Sequence, residues 1–315
     1  MRILVTGGCG YTGTILVNDL LSENHKVIVI DTQWFGNYLK KNKNLKIIKE
    51  DVRNLKDYHF KKVDSVIHLA NIANDPGVEL NPSLSWEVNV LATKKLAELS
   101  IKNKVKQIIF ASSGSVYGLK KERRVTEDLD LIPISTYNKT KMIAERVLMS
   151  YQDKIRIHCI RPATVCGLSP RMRLDVTVNN FTFQACKNKK ITVFGGKQIR
   201  PNIHIKDLVR IYKFFLYNKK LKNGFYNAGF ENLSILKIAK KIQKIIPSKI
   251  IVTKNNDVRS YRQNSDKLLS LGFKEKYNIE DAIKEILNAY NSKKLKDNSS
   301  YYTVNWMKKI GLDNG

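Results

Sequence analysis

Short apolar runs alternate with stretches in which apolar residues recur every three or four positions along the first half of the chain. The runs are typical of strands buried on both faces, and the recurring stretches are typical of amphipathic helices. Strands are predicted at residues 3–5, 25–31, 46–49, 64–69, 107–111 and 155–160. Helices are predicted at residues 14–21, 86–102 and 137–150. This alternation predicts an α/β fold built on a doubly wound parallel sheet.

After residue 165 the alternation becomes less regular, which favours a smaller α/β cap for the substrate. Helices are predicted at residues 174–188, 207–218, 234–246 and 279–291, between short strands and loops. The predicted domains are a first domain at 1–165, to which 198–226 returns, and a cap with a C-terminal tail at 166–197 and 227–315. The aromatic residues of the tail are predicted to pack against the body or a second subunit.

Four glycines lie within residues 7–13, GGCGYTG, between the first strand and the first helix. A plain turn seldom needs more than one or two glycines, whereas a pyrophosphate at a helix N-terminus needs close backbone approach. The second strand ends at Asp31, eighteen residues after Gly13. An acid at that position accepts hydrogen bonds from the adenosine ribose and repels a 2'-phosphate. The pattern therefore predicts a dinucleotide site that prefers NAD over NADP.

A second group of residues points to proton transfer. Tyr137 and Lys141 lie four apart in a predicted helix, so they share one face. A nearby ammonium favours the phenolate, which would lower the pKa of the tyrosine and make it a usable base. Ser112, Ser113 and Ser115 follow the fifth strand and bring hydroxyls to the carboxyl edge of the sheet. For Tyr137 and Lys141 the alternative is an ordinary pair of surface residues, and for the serines it is a simple turn. The dinucleotide-binding pattern earlier in the chain argues against both alternatives.

The chain resembles the extended branch of the short-chain dehydrogenase/reductase superfamily, the nucleotide-sugar epimerases and dehydratases. The resemblance covers nearly the whole chain and rests on VTGGCGYTG, VID, EDVRN, VIHLA, EVNVLAT, SSGSVYG, YNKTK, RPATVCG, VNNFT, GGKQIRPNIHIKDL and DVRSYRQNSDKLLSLGF. It implies a Rossmann-like domain with a C-terminal cap, NAD as the cofactor and a nucleoside-diphosphate sugar as the substrate.

The resemblance also implies roles for individual residues. The cofactor residues it implies are Gly7, Gly10, Tyr11, Thr12, Gly13, Asp31, Asp51, Val52, Leu69, Ala70, Tyr137 and Lys141. Ser113 is the implied catalytic hydroxyl, Tyr137 the base and Lys141 the ligand of the nicotinamide ribose. Substrate contacts are implied for Ser113, Ser115, Tyr137, Asn179, Arg200 and Arg259, of which the two arginines would clamp the diphosphate. Structural roles are implied for Asn89, His204 and Asp207.

Two departures from the family pattern bear on the chemistry. Cys166 stands where a tyrosine is usual, which alters the nicotinamide pocket slightly. Gly114 and Ser115 stand where the 4,6-dehydratases carry an acid and a second carboxylate. Because elimination of water needs an acid and a base, dehydratase chemistry is disfavoured.

Composition narrows the alternatives. The net charge of +28 at pH 7 invites a nucleic-acid interpretation, but the lysines are spread along the whole chain, a pattern that A/T-biased codon usage alone could produce. An acidic substrate is the simpler explanation for any functional part of the charge, so no nucleic-acid partner is predicted. Four cysteines show no metal-ligand spacing, so no metal site is predicted and reduced thiols are favoured. No apolar run reaches membrane-span length and no signal peptide is apparent, so a cytoplasmic protein is predicted.

The predicted function is a nucleotide-sugar 4-epimerase in which Tyr137 takes the proton of the 4-hydroxyl. The alternative is a 4-dehydrogenase or 4-keto-reductase, since GLSPRMRLDVTVNNFT resembles members that act on GDP-heptose or modified hexoses for surface polysaccharides. A non-catalytic dinucleotide sensor or RNA-binding protein is disfavoured because Tyr137 and Lys141 are both present. The helix at 86–102 has apolar residues over part of its surface, and in many relatives the equivalent helix pairs across a dimer interface. The resemblance therefore predicts a homodimer.

Overall fold

Strands and helices alternate along the chain in the structure, a computed structural model that describes residues 1–254 and 260–313. The strands are β1 (Arg2–Thr6), β2 (Lys26–Asp31), β3 (Leu45–Lys49), β4 (Ser65–His68), β5 (Gln107–Ala111), β6 (Arg156–Pro162), β7 (Thr164–Cys166), β8 (Lys190–Phe194), β9 (Ile199–His204), β10 (Gly224–Ala228), β11 (Glu231–Ser234) and β12 (Lys249–Thr253). The helices are α1 (Tyr11–Ser22), α2 (Asp75–Val78), α3 (Pro82–Trp86), α4 (Ala92–Lys102), α5 (Thr136–Met149), α6 (Thr177–Asn188), α7 (Ile205–Tyr217), α8 (Ile235–Ile245), α9 (Asp266–Ser270), α10 (Ile279–Asn291) and α11 (Thr303–Lys309).

The main sheet is parallel throughout and has the strand order β10-β6-β5-β4-β1-β2-β3. Side chains alternate between the two faces of a strand. Ile3 and Val5 of β1 therefore pack in the core cluster formed with α1 and α7, whereas Leu4 packs in the cluster formed with α4 and α5. This arrangement confirms the predicted doubly wound sheet with helices on both faces.

The direction of strand addition reverses at β1, because β2 and β3 lie on one side of it and β4, β5 and β6 lie on the other. Ligands of such sheets bind at the carboxyl ends of the strands beside this reversal. Ends of β1, β2, β4, β5 and β6 all meet there. The fold thus determines the position of the ligand-binding cleft, at the carboxyl ends of these strands.

Smaller sheets and three helices form a second core. Strands β11, β9 and β7 form one sheet, and β12 and β8 form another. Helices α6, α8 and α10 bury a cluster with them that includes Val178, Phe181, Ile191, Ile238 and Ile283. Strand β10 returns to the main sheet beside β6. The domain boundaries predicted from the sequence stay a prediction.

Two helices differ in detail from the sequence prediction. The helix predicted at 86–102 is part of a longer helical segment from Pro82 to Lys102, with a π-helical turn at Glu87–Leu91. Asn89 lies in that turn and is buried, where it accepts from the Ile72 amide at 2.8 Å and donates to Thr140 at 3.1 Å. These contacts give Asn89 the structural role that the resemblance implied. They explain why the helix widens at this point.

The helix predicted at 174–188 begins three residues later, at Thr177. Asp175 pairs with Arg173 at 2.9 Å and accepts from the Thr303 amide at 3.0 Å. These contacts hold the preceding segment in place, and Val176 has extended backbone angles. The segment before α6 is therefore a loop against the cleft instead of a first helical turn.

Within residues 1–254 and 260–313, none of the helices has the length and apolar character needed to cross a bilayer. All four cysteines are buried and free, in keeping with the predicted reduced thiols.

Candidate active site

The turn between β1 and α1 forms the floor of a cleft of about 610 Å³ at the carboxyl edge of the main sheet. Gly7 has φ of +71°, and a Cβ there would lie 2.6 Å from the backbone nitrogen of Ala70. A Cβ on Gly13 would overlap the carbonyl oxygen of Gly7. Glycine is therefore required at both positions by close backbone approach. Gly10, the N-cap of α1, makes no side-chain cap, so the first-turn N–H groups of α1 are available to an anion.

Asp31 at the end of β2 lines the same cleft and also holds the glycine turn. Its two oxygens accept from the amides of Cys9 at 2.9 Å and Gln33 at 2.7 Å. Burial raises the pKa of this carboxyl, and the two backbone hydrogen bonds oppose the rise. Each carboxylate oxygen can accept a further hydrogen bond, so a ribose hydroxyl can still be bound.

NAD is expected to bind at least about tenfold more tightly than NADP, since a 2'-phosphate beside the buried Asp31 carboxylate is repelled. Titration of cofactor-free protein with each dinucleotide measures the ratio. In Asp31→Asn the repulsion is reduced while the size of the side chain is kept, so the ratio should shrink. Tighter binding of NADP to the wild-type protein would contradict this assignment.

The other predicted cofactor residues lie along the cleft. Asp51 and Val52 follow β3, and Leu69 and Ala70 follow β4; all four line it, as do Tyr11 and Thr12. Asp51 also pairs with Arg53 at 3.0 Å. The structure thus brings together all of the residues that the resemblance assigned to the dinucleotide.

Ser113, Ser115 and Tyr137 meet on the opposite wall. The Oγ atoms of Ser113 and Ser115 lie 2.7 Å apart, and all three residues line the cleft. Burial raises the pKa of Tyr137 to about 12, while the nearby Ser113 hydroxyl and the charge of Arg173 oppose this rise. The serine thus stabilises the deprotonated tyrosine that proton transfer requires.

Lys141 lies one helical turn beyond Tyr137 and is buried. Its Nζ donates to the carbonyl of Ala111 at 2.8 Å and lies 4.8 Å from the centre of the Phe110 ring. Burial lowers the pKa of Lys141 to about 7, which Glu145 partly opposes. Arg173 is a cation that lowers the pKa of Tyr137 in the structure. The predicted influence of Lys141 on that pKa stays a prediction.

The lowered pKa of Lys141 predicts a pH-dependent stability. Its ordinary value is 10.5, so between about pH 7 and pH 10.5 the unfolded chain binds one more proton than the folded protein. The contribution of Lys141 to the free energy of unfolding should therefore rise by about 1.4 kcal/mol per pH unit in that window and level off below pH 7. Lys141→Met should lack this slope in denaturant titrations of the NAD-free protein.

The matched control is Lys139→Met, which removes an exposed lysine from the same helix and should keep the wild-type slope. Parallel stability curves for wild type and Lys141→Met from pH 7 to pH 9 would contradict the buried-ammonium account.

Only some of the predicted substrate residues line the cleft. Asn179 is buried and does not line the cleft, because its amide bonds to the Gly167 amide at 3.0 Å, the Tyr11 hydroxyl at 3.0 Å and the Arg173 carbonyl at 2.9 Å. It connects the glycine turn to the cap, so its predicted contact with the sugar diphosphate has no support in this geometry.

The two predicted diphosphate arginines are placed differently. The Arg200 guanidinium lies 5.7 Å from the Tyr261 ring centre, and Tyr261 lines the cleft. Arg259 lies outside the described residues.

His204 and Asp207 have structural roles, as predicted. His204 caps α7 by accepting from the Lys206 amide at 3.1 Å, and Asp207 accepts from the amides of Lys276 and Tyr277 at 2.9 and 2.8 Å.

Sequence reasoning missed Arg171 and Arg173, which both line the cleft. The signal available for them was two arginines, two apart, in the loop directly after RPATVCG.

Fold and cleft together define a dinucleotide-binding α/β protein in which Ser113, Ser115 and Tyr137 line the same cleft as the glycine turn. The family model of the NAD dependent epimerase/dehydratase family matches residues 3–229, and the chain belongs to that family. NAD is accordingly its cofactor, and the close-packed glycines, Asp31 and the free N-terminus of α1 fit that group.

Individual proteins agree with the family assignment. A UDP-glucose 4-epimerase of Lactobacillus helveticus is 29% identical over 90% of this chain and 95% of its own. The uncharacterized UDP-glucose epimerase YtcB of Bacillus subtilis is 33% identical over 78% of this chain and 82% of its own. The crystal structure of UDP-glucuronic acid 4-epimerase from Bacillus cereus, in complex with UDP-glucuronic acid and NAD, superposes with a TM-score of 0.82 at 27% identity, covering 93% of this chain and 99% of that one. UDP-glucuronic acid decarboxylases and an NDP-hexosamine 5,6-dehydratase are also similar.

Proposed function

We propose that this protein is an NAD-dependent nucleotide-sugar 4-epimerase. The observation that carries the proposal is the presence of Ser113 and Tyr137 in one cleft with the glycine turn and Asp31. Similarity over nearly the full length of a UDP-glucose 4-epimerase supports a UDP-sugar as the substrate.

Each residue has a part in the proposed reaction. Tyr137 takes the proton of the sugar 4-hydroxyl, and Ser113 orients that hydroxyl and stabilises the phenolate. Bound NAD would supply the hydride acceptor and donor for carbon 4, and Lys141 would hold its nicotinamide ribose from its position against β5. The keto sugar turns over between the two half-reactions, so that hydride would return to the opposite face of carbon 4. Tyr137 then returns the proton to the 4-oxygen.

The residue directly after Ser113 supports epimerisation over elimination of water. A Cβ at Gly114 would lie 3.1 Å from the amide group of Gln263, whose Nε2 donates to the Arg161 carbonyl at 2.6 Å and to Asn227 at 3.0 Å. A carboxylate side chain at this position would have to displace a buried hydrogen-bonded amide. The dehydratase arrangement therefore does not fit here.

The proposal is tested by incubating the NAD-loaded protein separately with UDP-glucose, UDP-galactose, UDP-glucuronic acid and UDP-N-acetylglucosamine and following the sugars by proton NMR. We expect one 4-epimer pair to reach the same equilibrium mixture from either side. Tyr137→Phe serves as the inactive control. Conversion to a released keto sugar or a dehydrated sugar would contradict the proposal, and a released keto sugar would favour the 4-dehydrogenase alternative.

We also propose a homodimer. Leu91 is 60% exposed and Trp86 is 36% exposed on the helical segment from Pro82 to Lys102, so apolar surface is available for a partner helix. Light scattering of purified protein is expected to give twice the chain mass. Leu91→Lys should yield the monomer, whereas a monomeric wild-type protein would contradict the proposal.

A further inference from the structure

The side chain of Arg171 is buried in the cleft without a salt-bridge partner, and the carboxylates of Asp31 and Asp175 act on it only from a longer distance. It is 3% exposed, and its guanidinium lies 4.1 Å from the centre of the Phe35 ring. Nη1 makes a long hydrogen bond of 3.4 Å to the carbonyl of the adjacent Met172, and Nε has no hydrogen-bond partner. Among residues 1–254 and 260–313, no ion pair within 4 Å is formed by this arginine.

Such an environment is costly for a permanent cation. A buried charge is normally paired or fully hydrogen bonded, since loss of hydration is otherwise not offset. Stacking on Phe35 offsets only part of this cost. The guanidinium therefore has unused donors inside a cleft whose ligand is anionic.

The loop that carries Arg171 is attached to the glycine turn. Ser169 donates to the carbonyl of Tyr11 at 2.7 Å, and the Tyr11 hydroxyl donates to the carbonyl of Gly167 at 2.6 Å. These two bonds fix the start of the loop beside the N-terminus of α1. Arg171 follows two residues after Ser169 and lines the cleft together with Gly10 and Asp31.

We propose that Arg171 binds the diphosphate of NAD, so that a cap residue and the N-terminus of α1 hold the cofactor between them. The diphosphate is the anionic group of NAD, and the planar fork of a guanidinium suits its oxygens. The neighbours of Arg171 belong to the cofactor half of the cleft, because Phe35 follows β2 and Tyr11 begins α1. The diphosphate of the nucleotide sugar is the other possible anion, and the experiment separates the two.

This contact has a consequence for turnover. A cofactor held by both the main domain and the cap leaves only when the loop after β7 separates from the glycine turn. NAD is thus retained between half-reactions, as an epimerase requires. The binding role of Arg171 itself depends only on NAD being the cofactor and would hold for a dehydrogenase as well.

The test compares Arg171→Met, which keeps the stacking on Phe35 and removes the charge, with Arg156→Met at the amino end of β6. Cofactor-free protein is titrated with NAD and, separately, with UDP, and the melting temperature is measured with and without NAD. For Arg171→Met we expect the dissociation constant for NAD to rise about 10- to 100-fold, that for UDP to stay within about twofold, and the NAD-free melting temperature to stay equal or rise. Arg156→Met should bind both ligands as the wild type does.

Unchanged NAD affinity in Arg171→Met would overturn the proposal, and so would a loss of UDP affinity with NAD affinity intact. If Arg171→Met does not fold, Arg171→Lys applies the same test: a loss of NAD affinity without the bidentate fork supports the proposal, and wild-type affinity overturns it. These measurements concern ligand binding alone and do not depend on the reaction that the protein catalyses. The epimerase proposal is tested by conversion of the sugars, so its failure can be distinguished from failure of the Arg171 proposal.

Discussion

Tyr137→Phe is expected to lower turnover by about 10²- to 10⁴-fold, the range attributed to a positioned general acid or base. The substitution removes one hydroxyl, which is the proposed proton acceptor and whose pKa the nearby Ser113 hydroxyl lowers. NAD affinity should change little, because the cofactor site is formed by the glycine turn, Asp31 and the loops beyond β3 and β4. The measurement is the initial rate at saturating nucleotide sugar, together with NAD titration of the same preparation.

Tyr226→Phe is a suitable control, since its hydroxyl donates to the Lys222 carbonyl at 2.6 Å, away from the cleft. Ser113→Ala should show an intermediate loss, because the phenol keeps its proton-accepting oxygen and loses the hydroxyl that stabilises its charged form. Turnover of Tyr137→Phe within a factor of three of wild type would remove this tyrosine from the mechanism.

Arg161→Met is expected to destabilise the protein by about 3 to 5 kcal/mol, because it leaves the Glu145 carboxylate buried and unpaired. Arg161 is 2% exposed and Glu145 is fully buried, and the two side chains form paired hydrogen bonds of 2.9 and 2.8 Å. The same guanidinium donates to the Tyr117 hydroxyl at 2.8 Å, which donates to Asn227 at 2.8 Å. Glu145 lies on α5 one turn beyond Lys141, so this network fixes the catalytic helix against β6.

The free energy of unfolding from denaturant titration measures the effect. In the double variant Arg161→Met, Glu145→Leu, both charges are absent, and we expect much of the lost stability to return. The exposed pair Arg124 and Asp266 provides the matched control, since Arg124→Met should cost less than about 1 kcal/mol. An equally small cost for Arg161→Met would mean that the buried carboxylate is neutral or hydrated.

The glycine turn, the parallel sheet and the pairing of Tyr137 with Lys141 on one helix were predictable because each follows from local spacing. Gly7 and Gly13 are needed where backbone segments meet, and alternation of apolar residues determines which face of β1 packs on which helix. Asp51, Val52, Leu69 and Ala70 were assigned through the family resemblance, and in the structure they lie just beyond the ends of β3 and β4.

Features that depend on contacts distant in sequence could not be predicted. Asn179 is predicted from the resemblance to contact the sugar diphosphate. In the structure its side-chain amide donates instead to the Tyr11 hydroxyl, which lies 168 positions away in the sequence. Arg171 is buried and contacts Phe35, a residue 136 positions earlier that the sequence does not place beside it. The partner that engages the Lys141 ammonium, a carbonyl of β5, is likewise fixed only by packing of α5 on the sheet.

The central claim is that hydride leaves carbon 4 of the sugar and returns to the same carbon while NAD stays bound. It is tested most directly with the nucleotide sugar that the protein converts, carrying deuterium at carbon 4, incubated with NAD-loaded protein while the absorbance of NADH is followed and the product sugar is analysed by mass spectrometry and NMR. The account predicts the 4-epimer of that sugar with deuterium retained at carbon 4 and no accumulation of NADH with turnover. Release of a sugar without deuterium, accompanied by NADH in proportion to the substrate consumed, would contradict it.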